Sequence, residues 1–431
     1  MESSTHRIVI VGGGAGGLEL ATKLGNTLGK AGRARVTLVD GNLTHIWKPL
    51  LHEVAAGSLD AATDELSYVA QAKWNHFDFI YGRMIGLDRQ QRVIQLAGWK
   101  GAYLQDEVPP AEVHYDTLVL SVGSVCNDFG TPGVREHCIF LDSRQDAERL
   151  RREMLERRLA AVAQGRSHIL RVAVIGGGAT GVELSAELRD ANRKLAGYRG
   201  HQDSTEDLDI SLIEAGLRLL SALPEGIGLS VEKELRDKLG IRVLTGTAVK
   251  RVEADGLFDA KGNKIEADMM VWAAGIRAPA FLRGLDGLES NHIDQLVVRP
   301  TLQTTRDTNI FAFGDCAACP LGGGASGNVP PRAQAAHQEA ELLARNLSLW
   351  LEGKPLLDFH FHDHGSLVSL ASFNTFGNLL DNRMIEGWVA HFFYASLYRM
   401  HQSALYGRWR TLRLMLGNFI AKNTRPLLKL H

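Results

Sequence analysis

The chain has 431 residues, of which 45% are hydrophobic and 23% are charged, and its formal net charge is −1. This composition is typical of a globular protein of about two to three domains, and it excludes a fibrous or disordered chain. Four cysteines are too few for a disulfide scaffold. The N-terminus lacks an apolar signal segment and no apolar run reaches about 18 residues, so we expect a cytosolic chain without a membrane-spanning helix.

Residues 7–40 have the pattern of a dinucleotide-binding unit. A short β-branched run precedes three glycines in G-x-G-x-x-G spacing, which are Gly12, Gly14 and Gly17. A helical stretch and a second apolar strand follow, and this strand ends at Asp40. Such glycines form the tight turn, admit a pyrophosphate and let the helix pack on the strand. The helix N-terminus then faces the phosphates, and Asp40 is placed to bind a ribose.

The same unit returns at 171–214. Gly176, Gly178 and Gly181 repeat the spacing, and the second strand ends at Glu214. The stretch between Gly181 and Glu214 is longer than usual because it contains a polar segment, which we interpret as a surface insertion. A single G-x-G-x-x-G occurs by chance, but two complete units with an acid at the end of each indicate two dinucleotide sites.

Glu214 favours NADH over NADPH, because a carboxylate repels a 2′-phosphate. Arg218, four residues further on, could reduce this repulsion or could be a solvated helix charge. Two dinucleotide sites in one chain suggest that a hydride passes between two cofactors.

Four motifs together resemble one family. They are "HIWKPLLHEVAAGSLD" at 45–60, "GATGVELSAEL" at 178–188, "FGDCAACP" at 313–320 and "AQAAHQ" at 333–338. The chain is similar over nearly its full length to the type II (alternative) NADH:quinone oxidoreductases, within the glutathione-reductase-like two-dinucleotide flavoproteins. The resemblance implies FAD on the first unit, NADH on the second, and reduction of a membrane quinone through FAD without proton pumping.

The resemblance also implies the site residues. For FAD they are Gly12, Gly14, Gly16, Gly17, Asp40, Lys48, Gly314 and Asp315. For NADH they are Gly176, Gly178, Gly181, Glu183, Glu214 and Gly275. The catalytic residues are Glu183, Gln334 and Gln338, and the last two contact the quinone.

Four alternatives to this interpretation can be weighed from the sequence. Disulfide reductases of the superfamily carry a cysteine pair near 45–60, and this chain has none there, so electrons must leave the flavin directly. A sulfide:quinone oxidoreductase would need redox cysteines and no working NADH site, and a soluble ferredoxin reductase would not need the basic tail. A flavin- and NADH-binding sensor with little turnover is the rival of another class.

Gln334 and Gln338 lie four apart on one predicted helix face, among small residues. Neutral amides can bond a quinone carbonyl without the desolvation penalty of a charge. The alternative is that the pair caps or crosslinks the helix.

Glu183 stands two residues after Gly181, at the start of the second phosphate-binding helix. The resemblance implies that this glutamate positions NADH and supplies protons. The alternative is an ordinary acid at the start of a helix, where the helix dipole favours a negative charge. Candidate proton donors for the quinol are Glu183, His337, Lys48 and His52.

Cys316 and Cys319 form a C-x-x-C that could be a redox pair or half of a metal site with the histidines of 360–364. The simpler interpretation is two small buried residues after the Gly-Asp turn.

The segments 384–400 and 404–422 predict amphipathic helices. From Gly387 to His431 there are seven Lys/Arg and no Asp/Glu. In the second segment the apolar residues recur at spacings of 4, 3, 4 and 3, as Leu405, Trp409, Leu412, Leu416 and Phe419, flanked by Arg408, Arg413 and Lys422. In the first, the apolar residues are Trp388, Val389, Phe392, Phe393 and Met400. Apolar faces with aromatics and positive charge indicate helices lying on an anionic membrane. Core packing or a homodimer contact is the alternative, and no motif for binding nucleic acid is present.

These observations predict an α/β fold with two Rossmann-type domains and a C-terminal amphipathic tail. The predicted ranges are 1–115 and 285–340 for the FAD domain, 116–284 for the inserted NADH domain, and 341–431 for the C-terminal region. The predicted location is peripheral, on the cytoplasmic face of the inner (cell) membrane.

Overall fold

A computed structural model describes residues 5–60, 65–101, 106–164, 169–198, 208–322, 326–379 and 383–421. The chain forms two compact units. Unit 1 comprises Met1–Trp47, Glu65–Val125 and Ile276–Asp363. Unit 2 comprises Lys48–Asp64, Cys126–Gly275 and His364–His431.

The helices of both units are, in chain order, α1 (Ala15–Leu24), α2 (Leu51–Ala56), α3 (Tyr68–Asn75), α4 (Val134–His137), α5 (Arg144–Ala163), α6 (Ala179–Tyr198), α7 (Glu225–Asp237), α8 (Ala333–Leu351), α9 (Gly387–Tyr406) and α10 (Arg408–Ala421).

The strands are β1 (His6–Val11), β2 (Ala34–Asp40), β3 (Thr44–His45), β4 (Leu66–Ser67), β5 (Asp78–Tyr81), β6 (Met84–Asp88), β7 (Val93–Leu96), β8 (Ala111–His114), β9 (Thr117–Leu120), β10 (Val125–Cys126), β11 (Ile139–Phe140), β12 (Leu170–Ile175), β13 (Leu208–Ile213), β14 (Arg242–Leu244), β15 (Val249–Glu253), β16 (Gly256–Asp259), β17 (Lys264–Glu266), β18 (Met269–Trp272), β19 (Ile276–Arg277), β20 (Leu296–Val297), β21 (Ile310–Ala312), β22 (Ala317–Ala318), β23 (Ser366–Leu370), β24 (Asn374–Leu379) and β25 (Arg383–Glu386).

Unit 1 is built on a parallel five-stranded sheet in the order β21-β9-β1-β2-β5. Strand β1 pairs with β2 and with β9 in parallel, and α1 connects β1 to β2. The β-branched residues of β1 are buried because helices cover a parallel sheet on its faces, and Ile10 has no exposed surface. Unit 1 also contains an antiparallel sheet of β6, β7 and β8. The predicted first dinucleotide fold is confirmed.

Unit 2 repeats this architecture with a parallel sheet in the order β11-β18-β12-β13-β14. Here α6 connects β12 to β13, which pair in parallel from Leu170↔Leu208 to Ile175↔Ile213. Two antiparallel sheets, β15-β16-β17 and β23-β24-β25, belong to the same unit. The predicted second dinucleotide fold is therefore also confirmed.

The compact units divide the chain differently from the predicted ranges. Residues 116–125 and 276–284, which were predicted to belong to the NADH domain, lie in unit 1. The segment from Lys48 lies in unit 2, because α2 packs against α5 and α6. The predicted boundary at 340 falls inside α8, which continues to Leu351 and remains in unit 1. The chain from His364 joins unit 2, where β23 packs on α6.

The C-terminal helices differ in detail from the prediction. The first does not begin at 384, because the chain is paired there as β25, and α9 starts at Gly387. The predicted continuous helix over 404–422 is wrong as well: Gly407 ends α9 with a φ of 76°, and α10 starts at the next residue. Positive φ is open to glycine at little cost, which explains the break.

This break divides the predicted apolar stripe. Leu405 belongs to α9 and is buried, whereas Trp409, Leu412 and Leu416 on α10 are exposed. On α9 the exposed apolar side chains include Trp388, Val389, Phe392, Phe393 and Met400. The side chains of Arg408 and Phe419, and Lys422 as a whole, lie outside the described residues. Within the described ranges, no helix combines the length and hydropathy that crossing a bilayer requires.

Candidate active site

The turn between β1 and α1 has the geometry of a phosphate-binding loop. Gly12 has a φ of 99°, and a Cβ there would lie 2.4 Å from the Ser121 carbonyl oxygen. A Cβ at Gly17 would lie 1.9 Å from the Gly12 oxygen, so α1 can pack on the turn only with glycine there. By contrast, apart from its two chain neighbours, no described residue places an atom within 4 Å of a Cβ built at Gly14. This open space at the start of α1 fits the close approach of a pyrophosphate.

Asp40 closes this loop from the end of β2. Its carboxylate accepts the backbone N–H of Gly13 at 2.6 Å and that of Asn42 at 2.7 Å. Burial raises the pKa of Asp40, and the two N–H donors act against this shift. The carboxylate is thus held in place beside the loop.

Gly16 allows a second helix to approach the loop. A Cβ at Gly16 would lie 2.5 Å from the Phe313 ring and 3.0 Å from the Ala336 carbonyl oxygen on α8. Helix α8 therefore packs directly against the start of α1 in unit 1. This packing brings the predicted glutamine helix next to the first phosphate loop.

The Gly-Asp turn after β21 lies in the same unit. Asp315 accepts the Ser124 hydroxyl through Oδ2 at 2.7 Å, and its carbonyl accepts the Gln295 amide at 3.0 Å. Gly314 donates its N–H to Oε2 of Glu339 at 2.8 Å. Glu339 is a buried carboxyl on α8 that the sequence did not single out, and burial raises its pKa to about 8. The turn is thereby fixed from both sides.

Gln334 and Gln338 both reach the segment that follows α8. Gln338 donates its amide N–H to the His362 carbonyl at 2.8 Å and accepts the His362 N–H at 3.0 Å. Gln334 donates to Oδ1 of Asp363 at 3.1 Å. The two amides thus crosslink α8 to residues 362–363, which is the arrangement that the alternative interpretation described.

His337 lies between the two glutamines in sequence and contacts α1. Its Nδ1 is 2.5 Å from Oε2 of Glu19, which is fully buried, while the imidazole itself is half-exposed. The hydrogen bond to Glu19 raises the pKa of His337, against the effect of burial. Oε1 of Glu19 also lies 2.8 Å from the Lys23 ammonium.

Unit 2 carries a second phosphate loop with the same features. Gly176 has a φ of 116°, and a Cβ at Gly181 would lie 1.9 Å from the Gly176 oxygen. A Cβ at Gly178 meets nothing within 4 Å. Glu214 accepts the N–H groups of Gly177 and Gly216, both at 2.6 Å. The loop therefore fits a second dinucleotide, and a fixed carboxylate lies where its ribose would bind.

Within the described ranges, Arg218 forms no ion pair with Glu214. Its guanidinium donates to the carbonyl oxygens of Leu223 at 3.0 Å and Ser221 at 2.8 Å. These bonds fold the guanidinium back onto its own loop.

Two further predicted residues lie in unit 2. Lys48 places its ammonium 3.5 Å from Asp142. Gly275 has a φ of 61°, and a Cβ there would lie 2.3 Å from the Phe129 ring, so the site needs glycine.

Glu183 lies on α6 in a buried environment of several ionisable groups. It accepts the Ser369 N–H at 3.0 Å and the hydroxyl of Tyr394. His52 Nδ1 is 3.7 Å away from its other oxygen. Burial raises the pKa of Glu183 to about 8, and the nearby carboxylates of Glu53 and Glu187 add to this. The carboxyl therefore holds a proton in part of the population at neutral pH.

These neighbours were not found by the sequence interpretation. Tyr394 and Ser369 come from the C-terminal region, and Glu53 comes from α2. The one signal in the sequence was the four-residue spacing of Glu183 and Glu187, which places both on one face of α6.

Cys316 and Cys319 are free thiols and both are buried. Burial raises the pKa of each thiol to about 12, so neither is a reactive thiolate. Their sulfurs lie 3.5 Å from the Leu120 oxygen and 3.6 Å from the Pro320 oxygen, respectively. The interpretation as two small buried residues agrees with this environment.

The comparisons with known proteins identify the class first. A family model described as "Pyridine nucleotide-disulphide oxidoreductase" matches residues 6–340. The fold, the two phosphate loops and this match place the chain among the pyridine nucleotide-disulphide oxidoreductases.

A curated relative narrows the assignment. A "Type II NADH:quinone oxidoreductase" of Haemophilus influenzae is 44% identical and aligns with 98% of this chain and 99% of that protein. The chain belongs to the type II NADH:quinone oxidoreductase family.

Solved structures share the fold at lower identity. NDH2 from Plasmodium falciparum, in complex with NADH, has a TM-score of 0.83 at 20% identity and covers 99% of this chain and 100% of that chain. The sulfide:quinone oxidoreductase from Aquifex aeolicus has a TM-score of 0.71 at 17% identity, with 94% of this chain and 92% of that chain covered. At these identities the likeness shows the fold alone.

Proposed function

We propose that the protein oxidises NADH and reduces a membrane quinone through non-covalently bound FAD, without pumping protons. The balanced reaction is NADH plus quinone plus one proton to NAD⁺ plus quinol. The observation that carries this proposal is the pair of phosphate loops, each with an open glycine position and an acid fixed by two backbone N–H groups. Together with the family, this pair supports two dinucleotides used in one reaction.

The residues of unit 1 suit FAD. The open position at Gly14 admits the pyrophosphate, Asp40 takes the ribose, and the turn at Asp315 faces the ribityl chain, as the family resemblance implies. The turn at Gly314 completes the proposed FAD set of unit 1, whereas Lys48 of the predicted set lies in unit 2. When bound, the flavin accepts a hydride and later gives up two electrons, so two half-reactions follow each other.

The residues of unit 2 suit NADH. Gly178 leaves room for the pyrophosphate, and Glu214 accepts the ribose hydroxyls and repels a 2′-phosphate. Glu183 positions the nicotinamide and holds a proton, which its raised pKa allows. The chain's own contribution to hydride transfer would be to orient the nicotinamide and to exclude water.

The quinone is proposed to bind at α8 of unit 1. An amide nitrogen carries two hydrogens, and one hydrogen of Gln338 reaches the His362 oxygen. The second can donate to a quinone carbonyl, while Gln334 and the segment 362–363 shape the pocket. The helices α9 and α10 are proposed to rest on an anionic membrane at the cytoplasmic face of the inner (cell) membrane, where the quinone is dissolved.

Stopped-flow measurement of both half-reactions tests the proposal. NADH should bleach the flavin rapidly under anaerobic conditions, and a ubiquinone or menaquinone analogue should restore its absorbance rapidly. Slow bleaching, or reduced flavin that persists with every quinone analogue, would contradict the proposed function and favour a sensor.

The Gln338→Leu variant tests the quinone contact. Loss of the amide should slow reoxidation by quinone about tenfold, the equivalent of about 1.4 kcal/mol, and spare reduction by NADH. The Asp363→Ala variant is the control, because it removes the partner of Gln334 and leaves Gln338 in place. Equal slowing in both variants would mean that Gln338 acts by anchoring residues 362–363.

A further inference from the structure

A row of buried acids runs along one face of α6. Glu183, Glu187 and Asp190 are spaced by four and three residues, and each is less than a tenth exposed. Ser58 donates its hydroxyl to Glu187 at 2.8 Å, and Ser372 donates to Asp190 at 2.5 Å. We call these three residues the acid row. Burial disfavours the charged form of a carboxyl that lacks a cation beside it, which applies to Glu183 and Glu187.

The cation of this face lies at one end of the acid row. The Lys194 ammonium is 2.6 Å from Oδ2 of Asp190, and its side chain is about one-third exposed. Glu183 lies at the opposite end of the row and is more deeply buried than Lys194. The acid row therefore connects a solvent-accessible ion pair with the buried carboxyl of the proposed NADH site.

His52 on α2 lies beside the acid row. Its Nδ1 is 3.7 Å from Oε2 of Glu183, and its Nε2 is 4.0 Å from Oε1 of Glu53. The donor atoms of His52, Glu53 and Glu187 all lie within 4.8 Å of one another. The His52 side chain is 2% exposed, and its Nε2 makes no hydrogen bond in the described part of the chain.

This imidazole has the properties of a proton carrier. Burial lowers the pKa of His52 to about 4, so the ring is neutral and one nitrogen holds a proton while the other has a lone pair. The imidazole hydrogen bonds to the Pro49 backbone, and because Nε2 makes no hydrogen bond in the described part of the chain, we assign the proton to Nδ1 and the lone pair to Nε2, which lies 4.0 Å from Oε1 of Glu53. A ring movement of about 1 Å brings either nitrogen to hydrogen-bond distance of a carboxyl.

The groups that face the acid row set its protonation. Glu183 faces His52 and Glu53 from α2 and Tyr394 from α9, and Glu187 faces Asp190 and Lys194 on its own helix. Burial raises the pKa of Glu187 to about 7, against the hydrogen bond from Ser58. Glu187 can therefore gain and lose a proton near neutral pH.

We propose that Glu187 and His52 form a proton relay that reloads Glu183 from the Asp190–Lys194 end of α6. This relay rests on the proposed function, because quinol formation needs two protons and the hydride of NADH supplies only one. The other proton enters from solvent at the Asp190–Lys194 end of the acid row and binds Glu187. His52 gains it at Nε2 as the O–H bond of Glu187 breaks, and the Nδ1–H proton moves to Glu183. Each bond that forms replaces one that breaks, and no electrons move along the relay.

The Glu187→Gln variant of the FAD-loaded enzyme tests the relay. Reduction of the flavin by NADH should stay within about twofold of the wild-type rate, since hydride transfer takes no proton from the protein. Reoxidation by a quinone analogue should slow about tenfold at pH 7.5 and lose the wild-type pH dependence between pH 6 and 9. Added formate or imidazole, as small proton carriers, should restore part of the rate.

His52→Asn is the second variant, and it keeps the test open if Glu187→Gln does not fold. An asparagine amide can form hydrogen bonds, but it lacks the imidazole ring that accepts a proton at one nitrogen and releases one from the other. The same loss of rate and the same rescue are therefore expected. Glu187→Asp should retain most of the rate. The control is Glu232→Gln on α7, which removes an acid paired with Arg236 in the same unit and should leave both half-reactions unchanged.

Two outcomes separate the relay from the proposed function. Wild-type pH dependence in both Glu187→Gln and His52→Asn, without rescue by formate, overturns the relay. Failure of the wild-type enzyme to reduce any quinone analogue overturns the proposed function itself, before the variants are compared.

Discussion

Asp40 and Glu214 close the two phosphate loops by the same arrangement. Each carboxylate accepts one N–H from the second residue of its glycine loop and one from the residue two positions after itself. A carboxylate that accepts two backbone N–H bonds is held in one rotamer. The negative charge is thus fixed in position before a nucleotide binds, which suits selection between NADH and NADPH.

The Glu214→Gln variant should lose this selection. An amide does not repel a 2′-phosphate, so the ratio of kcat/KM for NADPH to that for NADH should rise about tenfold, or about 1.4 kcal/mol. Steady-state kinetics with both nucleotides measure the ratio. Because the amide also cannot accept both N–H bonds, the thermal midpoint is measured alongside. An unchanged ratio in a folded variant would show that Glu214 does not discriminate between the nucleotides.

Glu183 should make the protein less stable as pH rises from about 4.5 to about 8. Its folded pKa of about 8 exceeds the ordinary value of 4.5, so in this window the folded chain holds a proton that the unfolded chain releases. Stability falls with pH wherever the folded state binds more protons. Glu183→Gln does not lose stability in this way. The difference in thermal midpoint between the variant and the wild type should therefore be roughly 5 °C more in the variant's favour at pH 8 than at pH 5.

Differential scanning calorimetry at several pH values measures this gain. Glu232→Gln serves as the matched control, because Glu232 is partly exposed and paired with Arg236. A difference between Glu183→Gln and the wild type that stays constant with pH would mean that Glu183 is ionised in the folded protein.

At the scale of elements, two glycines of the loop between β12 and α6 have different roles: Gly178 leaves open space, and Gly181 lets the helix pack on the turn. Nothing lies within 4 Å of a Cβ at Gly178, but a Cβ at Gly181 would lie 1.9 Å from the Gly176 oxygen. Gly178→Ala should therefore keep the fold and raise the KM for NADH about tenfold, because the methyl group occupies pyrophosphate space. Gly181→Ala should instead destabilise unit 2 by about 3 kcal/mol, since the helix must move away from the turn.

Anaerobic titration of flavin reduction by NADH and chemical denaturation measure the two effects. The opposite pattern, with Gly178→Ala unstable and Gly181→Ala impaired only in NADH binding, would contradict this division.

Elements whose pattern is local could be predicted from the sequence. Each dinucleotide unit has a β-branched strand, a glycine turn and a helix within about thirty residues, so spacing alone located β1, α1, β12 and α6. The break at Gly407 could not be found this way, because the apolar spacing continues across it and only the backbone conformation ends α9. Strand β25 was missed because its pairing with β24 decides its structure.

At the scale of the whole molecule, the missed site residues are those brought in by distant segments. Glu183 is joined to Ser369 and Tyr394, which lie about two hundred residues further along the chain, and no periodicity links such positions. The partners of Gln338 lie on an extended segment whose register only tertiary packing sets. Glycine loops and terminal acids were predictable because backbone geometry requires them locally, whereas a buried acid's surroundings depend on the complete fold.

Membrane attachment through α10 is the prediction that concerns the whole molecule. Trp409, Leu412 and Leu416 are 78%, 55% and 61% exposed, and Arg410 and Arg413 lie on the same helix. Burying these three side chains in a bilayer interface stabilises the bound state by several kcal/mol in total, at about 25 cal/mol per Å². Replacing all three by serine should weaken binding to vesicles that contain anionic phospholipid by at least about tenfold.

Substitution is a sharper test than deletion from residue 384. Such a deletion would also remove β25 and Tyr394, which bonds Glu183 in unit 2. Sedimentation with vesicles at low and high salt measures the binding. The attraction between the basic residues and the anionic lipid should weaken as salt is added. Leu217→Ser is the control, because Leu217 is 91% exposed, lies on a loop of unit 2 and is not part of the basic helix α10. If the triple variant sediments with vesicles as the wild type does, α10 is not the attachment surface, and its exposed apolar face must pack against another protein copy, which the oligomeric state in solution would reveal.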